Sequence, residues 1–252
     1  MTATVFGLKG FPPLVKAASR VMNPGLSEKV IERAYARDPS AALSEYGAEF
    51  RTDIESFVSR EAIEASTVLD RLELPPLSEI NYAAFVDPSG GAQDSMTLAI
   101  AHSEGDTAVL DVAREVRPPF SPDSVVKDFV ALLTAYRLTE VTGDRWGGEF
   151  VREQFERLGV SYVHSERTKS QIYCELLPLL NSRRIELLDL PVLAAQLGGL
   201  ERRTARGGRD SIDHAPGAHD DVINAAAGAL VTAAGVGSGG VDLRTYIAAY
   251  GG

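Results

Sequence analysis

The chain has 252 residues, 44% of them hydrophobic and 24% charged, which is the balance of a soluble globular protein with one large domain or one domain and a substantial appendage. No run comes near the roughly 18 consecutive apolar residues of a membrane span, and no charged and then apolar leader opens the chain. A net charge of −10 argues against holding nucleic acid by bulk attraction, though not against a local basic groove or an acidic site that metal ions neutralise. The one cysteine, Cys174, excludes an internal disulfide and a cysteine-built zinc site. Its apolar helical surroundings make it a core residue, and a reduced cytoplasmic setting fits.

In chain order, residues 1–25 lack periodicity, with Gly7, Gly10 and Pro12-Pro13 breaking up the apolar positions. A helix follows Ser27 through Tyr35, a second spans 40–46, and a third covers 60–72. Pro75-Pro76 reads as a linker and sets the expected division: a mostly helical extension over 1–76, the main domain over 77–234, and a flexible tail over 235–252. From Asn81 the pattern changes to strands at 82–87, 96–102 and 107–116, the first pair a hairpin around Pro88-Ser89-Gly90-Gly91. An amphipathic helix over 125–136 follows, then a strand at 139–144, a helix at 147–158 and a strand at 160–163. Residues 169–180 are helical, 185–188 extended, and Pro191 opens another helix. A polar, glycine-rich loop is expected over 205–218, and an alanine-rich helix over 220–233. Three meandering strands followed by alternating helices and strands predict an α/β fold. Its mixed central sheet has about five to six strands, the first three antiparallel, flanked by helices.

Strand ends carry Asp87 and Asp144, and a helix start carries Asp220-Asp221. Taken alone, Asp87 reads either as a turn cap or as a metal ligand, since Asp-Pro-Ser-Gly is ordinary turn chemistry. Asp144 alone is a loop acid, and Asp220 or Asp221 alone a helix N-cap. If the strand at 139–141 pairs beside the one at 82–86, two carboxylates lie a few ångströms apart, and the helix start brings a third. Such acids repel unless cations bind among them, and magnesium or manganese prefers an oxygen-only set. Two such ions would activate water and stabilise the leaving oxygen of a phosphodiester.

Three motifs resemble the nuclease domain of a tailed-phage (or prophage) terminase large subunit, which is RNase H-like. They are Phe85-Val-Asp-Pro-Ser-Gly-Gly-Ala-Gln-Asp94, Val141-Thr-Gly-Asp-Arg-Trp-Gly147 and Asp210-Ser-Ile-Asp-His-Ala-Pro-Gly-Ala-His-Asp-Asp-Val-Ile-Asn-Ala225, the last the most specific. The resemblance covers about 80–233, and Arg20-Val-Met-Asn-Pro24 with Glu45-Tyr-Gly-Ala-Glu-Phe50 resembles the exit from that family's ATPase domain. It implies catalytic, metal-binding acids at Asp87, Asp144 and Asp221, with Asp220 assisting or sharing an ion. Asp94 and His219 would stand behind these ligands, and Asp213 and His214 would shape the loop beside them. Trp146 would wall the site or pack in the core.

It also implies a Mg²⁺- or Mn²⁺-dependent DNA endonuclease with two ions, cutting concatemeric viral DNA during genome packaging in the host cytoplasm. Double-stranded DNA, a terminase ATPase, the small terminase subunit and a portal are the implied partners. No Gly-x-x-x-x-Gly-Lys-Ser/Thr phosphate loop occurs, so no ATPase motor is expected from this chain. Arg202, Arg203, Arg206 and Arg209, with Arg145 and Lys169, are the candidate DNA-backbone contacts. Two other readings keep the fold: a resolvase- or transposase-type nuclease, and a non-catalytic docking module of the packaging complex.

Overall fold

The computed structural model describes residues 4–6, 14–16, 19–37, 46, 54–92, 94–144, 149–204, 210–215 and 217–235. Two compact units divide the chain: 1–55 with 202–209, and 56–201 with 210–252. In the first, β1 (Thr4–Phe6) and β2 (Leu14–Lys16) pair antiparallel, where irregular or extended chain was expected, and α1 (Ser19–Met22) and α2 (Glu28–Arg37) follow. The helix expected over 40–46 and the tail after Gly235 lie outside the described residues.

The second unit takes in residues well before Pro75-Pro76. After β3 (Ile54–Ser56), Ser59 caps α3 (Arg60–Ser66) by accepting the Ala62 N–H. This helix was expected to reach residue 72, but it stops at Ser66. Thr67 and Val68 are β-branched and form a short strand, β4, paired parallel with a strand from far along the chain. The boundary therefore falls earlier than the proline pair suggests.

The main run follows: β5 (Tyr82–Asp87), β6 (Met96–Glu104), β7 (Thr107–Val116), α4 (Pro122–Ala135), β8 (Glu140–Gly143), α5 (Glu149–Arg157), β9 (Ser161–His164), α6 (Lys169–Asn181), β10 (Ile185–Leu188), α7 (Pro191–Gly198), β11 (Leu200–Thr204), β12 (Asp210–His214) and α8 (Asp221–Gly235). The expected loop over 205–218 thus contains β12, and the Ile212 N–H anchors this strand on Ser170 Oγ at 3.0 Å. Alternation of Ser211, Ile212 and Asp213 puts Ile212 inward, a period-two signal too short to outweigh the glycines around it.

The central sheet has seven strands in the order β4-β10-β7-β6-β5-β8-β9. The three meander strands are antiparallel, and β8, β9, β10 and β4 add parallel to them. The expected extended run at 185–188 is β10, which extends the β7 edge, and the unforeseen β4 adds beyond it as the seventh strand. Alternation along β5 builds a core on each face. Ala83 and Phe85 pack with α6, α7 and α8, while Ala84 and Val86 pack with α4 and α5. Gly228 of α8 lies directly over the Phe85 ring, where any Cβ would collide, so the helix seats flat on the sheet. Cys174 is exposed on α6, a correction to its core reading, because Ile172, Tyr173 and Leu176 take the inward face.

One irregularity shapes the sheet interior. Ile100 pairs with Val112 and Ala101 with Leu110, so Asp111 is an extra residue bulged out of the β6–β7 ladder.

Candidate active site

Hydrogen bonding speaks against the turn-cap reading of Asp87. The turn after β5 is closed by Ser89, whose hydroxyl donates to the Asp94 carbonyl at 2.6 Å and accepts the Gly91 N–H at 3.2 Å. Gly91 itself needs its positive φ of 81°, and a Cβ there would strike the Phe120 carbonyl. Among the described residues, the Asp87 side chain takes no part in this turn. Its Oδ2 accepts instead from Asn224 Nδ2 on α8, at 2.8 Å.

Three elements converge there. Val86 of β5 pairs with Gly143 of β8, so Asp87 and Asp144 are the next residues out of neighbouring parallel strands, roughly 4.8 Å apart in backbone. Tyr162 of β9 lies against Gly143, where a side chain would not fit, and its hydroxyl donates to the Asp144 carbonyl at 3.1 Å. The start of α8 is pinned by Thr97 of β6, which sits opposite Asp87 and donates to the Asp221 carbonyl at 2.7 Å. Gln196 satisfies the Ile223 N–H at 3.0 Å.

The electrostatics are those of a cation-deficient pocket. Burial pushes the Asp87 carboxyl up to about 7, the nearby charges of Asp221, Asp144 and Asp220 add to the rise, and the Asn224 amide opposes it. Burial also raises Asp221, with Asp220 and Asp94 adding to it and His219 opposing. Among the described residues, Asp221 Oδ2 is buried with no hydrogen-bond partner, and so is Asn224 Oδ1. An orphaned buried carboxylate oxygen among raised acids is what an oxygen-preferring divalent ion would satisfy, so the donor set fits the expected metal.

Asp220 is different from its neighbour. Its buried carboxylate accepts from Tyr173 Oη at 2.9 Å and pairs with Lys169 Nζ at 3.0 Å. Lys169 also lies 3.0 Å from Asp213 Oδ1. Burial alone would lower the Lys169 ammonium, but Asp220 and Asp213 outweigh it and hold it above its ordinary value. Lys169 is thus turned toward acids. Of the remaining candidates, His219 is exposed, with Nδ1 3.9 Å from Asp221 Oδ2, and Asp94 is exposed beside the same group. Arg202 and Arg203 are half-buried on β11, in the first compact unit, whereas the acids belong to the second. Arg145, Trp146, Arg206 and Arg209 lie outside the described residues.

A cleft of about 610 Å³ opens beside Asp144, which lines it with Glu166, Arg167, Lys169, Ser211 and Asp213 among others, while Asp87 and Asp221 are not in its lining. Asn224, Thr97, Tyr162 and Tyr173 are the contributors that sequence reasoning missed. Only Asn224 carried a signal, as the polar residue one turn after Asp220 in an otherwise alanine-rich helix.

No family model matches the chain, and no curated protein does. Solved structures do. The large terminase nuclease from thermophilic phage G20c superposes with a TM-score of 0.60 and 16% identity, covering 69% of this chain and 96% of that one. Its magnesium-bound form superposes at 0.58 with 16% identity, over 67% and 94%. The HK97 bacteriophage large terminase matches at 0.56 and 20% identity, over 83% of this chain and 53% of that one.

The chain has the fold of a phage large-terminase nuclease domain. This is the RNase H-like α/β arrangement, with the β7-β6-β5-β8-β9 strands in succession across the sheet and helices on both faces. In this terminase-nuclease fold, Asp87 and Asp144 stand at the carboxyl ends of adjacent central strands and Asp221 at the first turn of the helix that crosses them.

Proposed function

We propose that this chain is a metal-dependent DNA endonuclease of the large-terminase kind, acting on viral DNA during genome packaging. Asp87, Asp144 and Asp221 would hold the metal, Mg²⁺ or Mn²⁺, with two ions as the working number. The observation that carries the reading is the buried Asp221 Oδ2, without a hydrogen-bond partner among the described residues, beside an Asp87 carboxyl raised to about 7. A folded protein tolerates such a deficit where a ligand relieves it. The magnesium-bound G20c nuclease has the same fold and supports a divalent ion as that ligand. When bound, divalent ions supply water activation and neutralise charge on the leaving oxygen of a phosphodiester.

The chain's own residues do the positioning. Asn224 holds one Asp87 oxygen through an N–H donor and so fixes the direction of the carboxylate. Thr97 and Gln196 fix the first turn of α8, and with it the direction of Asp221. Tyr162 ties the Asp144 backbone to β9, so that Asp144 leaves its strand at a set angle. Acids on rigid strand and helix ends meet the positional tolerance that in-line displacement demands. The partners would be double-stranded DNA and, within a packaging complex, an ATPase, a small terminase subunit and a portal.

Plasmid cleavage with Mg²⁺, Mn²⁺ or EDTA, alongside Asp87→Asn, tests the reading. Cutting that needs the metal and disappears in the variant supports both activity and site. Cutting that persists in Asp87→Asn sinks the site assignment, and no cutting with either ion counts against the nuclease.

A further inference from the structure

A second set of ligand-type atoms lies next to the acids just described. Asp213, His214 and Asp220 bring two carboxylate oxygens and an imidazole nitrogen within 4.8 Å of one another. The histidine is oriented as a ligand would be. Nδ1 lies 2.9 Å from the Ala215 carbonyl, which only accepts, so Nδ1 carries the hydrogen. The other ring nitrogen, Nε2, then lies 3.8 Å from Asp213 Oδ1 and 3.9 Å from Asp220 Oδ1.

A cation is already there, and it is covalently part of the chain. Lys169 Nζ sits 3.0 Å from Asp213 Oδ1 and 3.0 Å from Asp220 Oδ2. Lys169 is the first residue of α6, and the helix start is fixed by a reciprocal cap. Thr168 Oγ1 accepts the Gln171 N–H, and the Gln171 side chain accepts the Thr168 N–H at 2.8 Å. One turn on, Tyr173 donates to the same Asp220 oxygen, so helix and strand both determine where the ammonium goes.

We propose that Lys169 is a positioning residue of the candidate nuclease site: its ammonium fills the cation position among Asp213, His214 and Asp220, and so confines divalent ions to Asp87, Asp144 and Asp221. The inference rests on the nuclease reading above. It separates the roles of two adjacent aspartates. Asp221 is left for the ion, while Asp220 is an anchor whose charge is spent internally. The anchor reaches the site through the backbone. The Asp220 carbonyl accepts the Asn224 N–H at 2.8 Å, and the Asn224 amide in turn holds Asp87. The ammonium and Asp144 line the same cleft, so an extra divalent ion at the Asp213 group would lie within the space a substrate needs.

The test counts ions, not turnover. Mn²⁺ titrations of the whole chain, read by the electron paramagnetic resonance of free Mn²⁺, compare wild type with Lys169→Met, Lys169→Arg, Asp213→Asn and the Lys169→Met/Asp213→Asn double variant. Lys169→Met is expected to bind one more ion than wild type, Lys169→Arg to return to the wild-type number, and the double variant to lose the extra ion. Asp213→Asn alone is expected to leave the wild-type number unchanged. An equal count in wild type and Lys169→Met overturns the proposal, as does an ion lost from wild type by Asp213→Asn. Should Lys169→Met fail to fold, Lys169→Gln takes its place, with the same gain of one ion expected and an unchanged count overturning the proposal. If wild type binds no Mn²⁺ while Lys169→Met binds one, the lysine role stands and the metal site at Asp87 falls.

Discussion

The two ends of the β5–β6 ribbon are both acidic and both buried, yet they are finished in opposite ways. At the end where Tyr82 pairs with His102, one imidazole is held between two carboxylates: Nδ1 is 2.7 Å from Asp111 and Nε2 is 3.1 Å from Glu104, with the Tyr82 ring edge-on to it. Burial alone would lower His102, but Asp111 and Glu104 outweigh it and raise the imidazole to about 9, so the group is a closed ion cluster. At the end where Asp87 pairs with Thr97, Asp87 receives an amide from Asn224, and one Asp221 oxygen has no hydrogen-bond partner among the described residues. One strand pair therefore carries a polar cluster paired within the fold and another whose acids are only partly paired. Under the proposed function the first is structural and the second holds the metal.

The sharpest way to break this contrast is to remove an acid from each end and ask what is lost. Asp87→Ala is expected to lower metal-dependent DNA cleavage at least about a thousandfold, the several kcal/mol of charge stabilisation a metal ligand supports, while the protein stays folded. His102→Ala is expected to do the reverse. It should cost about 3–5 kcal/mol of stability, read by denaturant unfolding, because Asp111 and Glu104 are left as buried charges without their partner. If His102→Ala leaves stability unchanged, the cluster is not closed in the sense drawn above.

Divalent metal should separate the ends as well. At a concentration about 100-fold above its dissociation constant, Mg²⁺ or Mn²⁺ should raise unfolding free energy by about 2.7 kcal/mol in wild type and much less in Asp87→Asn. The pH dependence differs in position. Asp87 is raised from 3.8 to about 7, so without metal the folded state loses stability as pH rises between those values. His102 is raised from 6.5 to about 9, so its contribution is complete below pH 6.5 and lost as pH rises through about 9. Metal should abolish the lower transition and leave the upper one, as followed by thermal unfolding across pH. The smallest effect is expected at the frame. Thr97→Val removes one donor to the Asp221 carbonyl and should cost about 1 kcal/mol, with a modest fall in cleavage.

Much of the site was legible in the sequence because each acid sits at the end of an element. Asp87 ends a strand, Asp144 follows one, and Asp220-Asp221 begins a helix, positions that period and turn chemistry mark locally. What was not legible depends on partners distant in sequence. Asn224 reaches Asp87 across 137 residues and Thr97 reaches Asp221 across 124, and no local pattern announces either. Lys169 read as a candidate backbone contact because a lysine in sequence is only a charge, and the carboxylates that claim it arrive 44 and 51 residues later. The fold was legible in its strand order from β5 to β9. It was not legible at β4, where two β-branched residues ended a helix in favour of pairing with β10. Cys174 shows the same limit in reverse, since an apolar neighbourhood in sequence does not fix which side of a helix faces out.

The bulge at Asp111 has a consequence for how this sheet tolerates change in length. Because Asp111 is the surplus residue of β7, the ladder on either side keeps two different phases, and the Asp111 carbonyl is free to take the Leu74 N–H at 2.9 Å. Deleting this single residue would let the two phases merge into an unbroken ladder, and the strand pairing by itself would be better for it. The same deletion would strip His102 of its nearer carboxylate and unhook the segment that leads into β5. An apparent flaw in the weave is thus the seam by which the sheet, its interior charge and the incoming chain are sewn together.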